Sequence, residues 1–152
     1  MATYSLVIRR LMICSLTIVV SRAITSPLLT LFLSTKLGLN QQDVGLLLGI
    51  AVFIATLLAL YGGYIIDRLE KRRLLILAML SSAIGFVLLT FAKNLYLTTA
   101  TLVITETASA LFLIGSKAIL SDNLPMGQRA KAFSLRYTLT NIGYATGPML
   151  GV

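Results

Sequence analysis

The sequence predicts an all-α integral membrane protein of five transmembrane helices, and three observations predict it. Hydrophobic residues make up 57% of the 152 positions and charged residues only 12%, too apolar a balance for an ordinary soluble domain or a disordered chain. The apolar residues gather into five runs, each long enough to cross a bilayer as a helix, parted by short polar segments. The cations gather as well: Arg9 and Arg10, then Arg68, Lys71, Arg72 and Arg73, then Arg129 and Lys131 fall in alternate segments, while only Lys36 and Lys93 fall in the others. Because Lys and Arg are retained on the cytoplasmic side during insertion, this asymmetry puts the N-terminus in the cytoplasm and Val152 at the outer face. Topology thus accounts for the net charge of +8 better than nucleic acid does, since there is no Trp and no basic-aromatic stripe.

The first helix is expected over residues 11–34. Its run is long enough to span and lacks a clear small-x-small cleavage site, so it reads as a retained helix and not a signal peptide. It carries two costly residues, Arg22 near its middle and Pro27, which removes a backbone donor. Cys14, the one cysteine, has no internal disulfide partner and reads as a small hydrophobe. The second helix is expected over 41–66, with Asn40 as N-cap, Asp43 three residues on, and a staple between Leu39 and Val44. Gly45, Gly49, Gly62 and Gly63 along it are small residues of the kind that let helices approach. The third helix is expected over 74–92, with Lys93 and Asn94 as an outer turn, and the fourth over 95–120. Asn123, Pro125 and Gly127 mark residues 121–129 as a loop, and the fifth helix follows over 132–152.

Chemistry concentrates at a few places. Between Asp67 and Arg73, seven residues carry six charges, a hydrophilic hairpin between two apolar runs. Gly63, Asp67, Arg68, Lys71 and Arg72 stand there at the spacing Gly-x-x-x-Asp-Arg-x-x-Lys-Arg. This resembles the signature between the second and third helices of major facilitator superfamily transporters, Gly-x-x-x-Asp-(Arg/Lys)-x-Gly-(Arg/Lys)-(Arg/Lys). Glu70 occupies the family's second glycine, a departure that bears on any turn using positive φ. A second motif closes the chain: Gly143, Gly147, Pro148 and Gly151 resemble the Gly-x-x-x-Gly-Pro-x-x-Gly-Gly of helix 5 in the antiporter branch, with Val152 in place of the last glycine. Read alone, the first is a topology signal and the second a small-residue packing seam.

Several readings rest on the residues themselves. Rising ~1.5 Å per residue from the cytoplasmic ends of their helices, Arg22 lies roughly 18 Å and Glu106 roughly 21 Å up, a similar depth at which the two can pair. Such a pair either serves transport or only fastens two helices. The chain has no His, and of its five carboxylates only Glu106 lies far from both interfaces, which makes it the proton-coupling candidate. The family's helix-4 signature features an Arg in this neighbourhood and residues 102–107 have none, so that role rests on depth alone. On the fifth helix Tyr137, Asn141, Tyr144 and Pro148 share a face roughly opposite Gly143, a polar stripe suited to lining a substrate cavity or the lipid interface. Lys117 and Arg136 lie near the inner interface, where long cationic side chains snorkel.

The resemblance implies more than the residues do. It implies a fold of two six-helix halves, of which this chain is an incomplete amino-terminal half, the sixth helix and the second half missing. It implies secondary active transport by alternating access, closest to proton-coupled efflux of drugs or metabolites as in multidrug resistance, in the bacterial inner membrane. Its partners would be the lipid bilayer, a small-molecule substrate, protons and the remainder of the transporter chain, with no cofactor or metal. Asp67, Arg72 and Asp122 would form a gate, and the chain alone would not transport. An importing symporter, or a small membrane subunit docking a partner, remains the alternative. Without His, a metal-ligand cluster, or a Ser or Cys beside a base, an enzyme is not expected.

Overall fold

The computed structural model describes residues 5–62, 64, 68 and 70–150. They form five long helices in the order α1 (Leu6–Leu37), α2 (Gln41–Leu60), α3 (Lys71–Phe91), α4 (Leu95–Asp122) and α5 (Met126–Leu150), with no strand among the described residues. Helices α1 to α4 are long and apolar enough to cross a membrane. α5 is not among them, because Arg129, Lys131, Arg136 and Asn141 dilute its apolar residues.

Most helices outrun or shift from their apolar runs, for reasons local to each end. α1 starts before Arg9 and Arg10 and runs on through Lys36, stopping at Gly38, whose φ of 64° is a left-handed conformation that glycine adopts without strain. The connection between α1 and α2 is therefore Gly38 to Asn40 alone, where the expected helices leave 35–40. α2 begins at Gln41 as expected, with the Asp43 amide donating to Asn40 Oδ1 at 2.9 Å. Its regular span closes at Leu60 with a turn at Tyr61, although Gly62, Tyr64 and Arg68 are again helical.

The third helix takes in the last three charges of the hydrophilic stretch. α3 starts at Lys71, so Lys71, Arg72 and Arg73 form its first turn, and Glu70 is its N-cap with φ −61°. Glutamate is thus at no disadvantage where the family has glycine, since no positive φ is required. Glu70 also pairs with Arg73 at 2.6 Å, an exposed i,i+3 contact of small energetic value. α4 is N-capped by Asn94, whose Oδ1 accepts from the Leu97 amide at 2.8 Å. α5 starts six residues earlier than its apolar run, immediately after Pro125, so the connection from α4 is only Asn123 to Pro125.

The chain divides into two compact units, Met1–Phe32 with Ser116–Val152, and Leu33–Gly115. In the first, α1 buries Ile8, Met12, Ser15, Val19 and Ala23 along one stripe, and α5 buries Ala132, Arg136, Gly143 and Gly147. In the second, α3 lays Gly85 against Thr101 and Thr105 of α4, so closely that an added Cβ would overlap Thr105 Oγ1. Gly115 of α4 meets Leu75 in the same way. The buried hydroxyls of Thr98, Thr101 and Thr105 donate to backbone carbonyls of α4 and its N-cap Asn94 at 2.8–3.0 Å, so each of the three is satisfied locally. Lys36 Nζ donates to the Thr90 carbonyl in the last turn of α3. Gly45 and Gly49 meet nothing within 4 Å and contribute to no seam among the described residues.

Candidate functional site

In the first unit the glycine motif of α5 makes a contact with α1. A Cβ on Gly143 would come 3.0 Å from Val19 and 3.2 Å from Val20, and one on Gly147 would overlap the Ala23 Cβ. Residues four apart on α5 meet residues four apart on α1 in the same order, so the two helices run parallel. Gly151, the motif's last glycine, lies outside the described residues. Pro148 is exposed, and α5 continues past it to Leu150.

The polar stripe of α5 is where its spacing puts it. Tyr137 and Tyr144 are 71% and 55% exposed, and Asn141 and Pro148 are exposed with them, turned away from the buried glycines. Arg22 is half-buried on α1 and is engaged in an interaction. Arg136 corrects an expectation. It does not snorkel to the interface but is 6% exposed, and its Nη2 donates to the buried Ser116 Oγ at 2.8 Å. Its Nε is buried without a partner among the described residues. The sequence carried a signal for this: Ala132, Arg136, Gly143 and Gly147 follow one helical face, so whatever buries the glycines buries Arg136 too.

In the second unit Glu106 is half-buried on α4 and engaged in an interaction, between the buried Thr105 and the half-buried Thr107. An apolar cleft of about 280 Å³ lies nearby, lined by Leu58 of α2, Leu74, Leu77 and Ala78 of α3 and Thr107 and Leu111 of α4, among others. Thr107, one of its lining residues, has a buried Oγ1 with no hydrogen-bond partner among the described residues. Of the loop signature, Arg68 stacks over the Tyr64 ring at 4.4 Å, Lys71 is half-buried and engaged, and Arg72 is exposed. Gly63 and Asp67 lie outside the described residues. Asp122, exposed as the last residue of α4, belongs to the first unit.

The family model described as Major Facilitator Superfamily matches residues 11–152, all but the first ten positions. This chain belongs to the Major Facilitator Superfamily. Among the superfamily's proteins it is 33% identical over 141 residues to the uncharacterized MFS-type transporter YdeE of Escherichia coli, covering 93% of this chain and 36% of that one. It is 28% identical over 130 residues to a Na(+), Li(+), K(+)/H(+) antiporter of Planococcus maritimus, covering 82% and 30%. It is 24% identical over 125 residues to the quinolone resistance protein NorA of Staphylococcus aureus, covering 82% and 32%. The chain therefore spans about a third of the length of these superfamily relatives. It is a multi-pass membrane protein of a family of transporters, which are generally not enzymes.

Proposed function

We propose that this chain is the amino-terminal part of a secondary active transporter that exports small molecules in exchange for protons by alternating access. The observation that carries the reading is the α1–α5 seam. Gly143 and Gly147 of the antiporter-like motif are buried against Val19, Val20 and Ala23, so the motif has a packing role and is not incidental composition. A relative that is a cation/proton antiporter and another named for quinolone resistance support the same branch.

Within this reading Glu106 carries the coupled proton, the most interior of the chain's carboxylates by sequence. Arg22 and the exposed stripe of Tyr137, Asn141 and Tyr144 contact substrate, and the loop of Gly63, Asp67, Arg68, Lys71 and Arg72 acts at the cytoplasmic gate. The protein sits in the bacterial inner membrane with its N-terminus in the cytoplasm. Half a cavity cannot alternate access, so the 152 residues alone are inactive.

The test is dissipation of a proton gradient in everted membrane vesicles containing the complete transporter. Sodium, potassium and a quinolone are added in turn, and the parent protein is compared with Glu106→Gln. The proposal expects substrate-dependent proton release from the parent, reduced to background by Glu106→Gln. Undiminished proton coupling in Glu106→Gln removes the role given to Glu106, and transport indifferent to the gradient removes proton exchange altogether.

A further inference from the structure

Arg136 is placed where a charge needs an answer, and the described residues of the first unit give it only a neutral partner. A guanidinium has five N–H donors and stays charged under all ordinary conditions. Arg136 is 6% exposed, its partner among the described residues is the neutral Ser116 hydroxyl, and its buried Nε has none. Charges held inside membrane helices are met by counter-charges, since an uncompensated one is costly in low dielectric. The first unit contains a single carboxylate, Asp122, and it is exposed at the end of α4. Six residues separate it from Ser116, about 9 Å of helical rise.

A second observation lies on α1. Thr17, Thr25 and Thr30 each donate to the carbonyl four residues back, satisfying their hydroxyls within the helix. Ser15, 2% exposed on the buried stripe, does not, and its Oγ has no partner among the described residues. The parallel register set by Gly143 against Val19 and Gly147 against Ala23 brings Arg136 level with Met12, with Ser15 about 4.5 Å further along. Two buried donors, a guanidinium N–H and a hydroxyl, thus stand unsatisfied within one helical turn of each other in this register.

We infer that Arg136, with Ser116 and Ser15, forms an anion site in the first unit, and that the anion it takes is a carboxylate. Ser116 fixes one corner of the guanidinium, leaving Nε to join a neighbouring N–H in the paired bonds that a planar carboxylate accepts. The Ser15 hydroxyl supplies a further donor. A phosphate would bring a second charge into apolar surroundings, and a halide would not use the fork. The inference goes beyond the transport reading, because binding at Arg136 does not require the chain to move a substrate.

The experiment follows thermal unfolding of the purified 152-residue chain in detergent with benzoate, and with benzamide as the neutral isostere, at constant ionic strength. Benzoate is expected to raise the midpoint saturably and benzamide to leave it unchanged. Arg136→Gln should lose the rise, and Arg136→Lys should keep part of it. An equal response to the two compounds in the parent protein overturns the site without reliance on any variant, as does an undiminished benzoate response in Arg136→Gln. Repeating the benzoate series on the chain in its native membrane, by heat-induced aggregation, separates the sources. A rise in both settings means a small-molecule carboxylate, and a rise only after purification means that a carboxylate of a neighbouring polypeptide holds the site in the membrane.

Discussion

Gly147 shows how a residue with no side chain sets the distance between two helices. A Cβ there would overlap that of Ala23 and lie 3.1 Å from the Ala23 carbonyl carbon, and backbone cannot swing aside as a side chain can. Gly147→Ala should therefore cost about 1–3 kcal/mol, the usual penalty of overpacking. Gly45→Ala is the control: with nothing within 4 Å, it should be neutral or stabilise by up to about 1 kcal/mol through helix propensity. Unfolding of the purified protein in detergent measures both, and equal costs at the two positions would contradict the seam. The motif spacing made the Gly143–Gly147 face legible in the sequence, but not its partner, because no local pattern says which helix a glycine face meets. Arg136 was legible only in part. Its spacing from the glycines put it on the buried face, while its charge suggested the interface, and packing decided between them.

At the scale of the element, hydropathy located every helix and misjudged most of the ends. Apolar runs mark the length that faces lipid or core, whereas backbone hydrogen bonding continues until a residue stops it. For α1 that residue is Gly38, four positions past the expected end at 34. For α5 the start is set by Pro125, ahead of the polar Gln128 and Arg129 that the turn-forming residues assign to a loop over 121–129. The start of α2 was readable because Asn40 carries its own chemistry, accepting the Asp43 amide. Asn40→Ala should cost about 1 kcal/mol and speed hydrogen exchange at the first amides of α2; unchanged exchange there would mean that the cap is idle. Lys71, Arg72 and Arg73 sit in the first turn of α3, where a helix dipole disfavours cations by about 0.3–1 kcal/mol each. Stability does not explain them, and the orientation expected from the cation asymmetry is the account to test. Replacing all three by Gln should leave reporter fusions near Arg72 in mixed orientation, where the parent keeps them inside. A uniformly cytoplasmic reporter in the triple variant would move the topological signal elsewhere.

For the molecule as a whole, composition and two short motifs were enough to reach the family, since lipid leaves helices as the ready solution for long apolar runs. The match over residues 11–152 agrees with that reading. Less legible was the character of α5, whose cations and amides keep it below the apolarity of the other four helices. Glu106 and Arg22 stand out because charge within an apolar run is conspicuous; the roles proposed for them are for a transport assay to test. The chain covers 36% or less of each relative described above, and the proposed alternating access needs two repeats that move against each other around one site. The central claim is that these residues work as the first part of such a transporter. The most direct test is the reading frame immediately downstream of the Val152 codon in the gene and its transcript. The account predicts that the frame stays open through a sixth apolar run and a second half. A stop codon directly after Val152 would contradict it and leave a five-helix membrane protein that acts, if at all, through a partner.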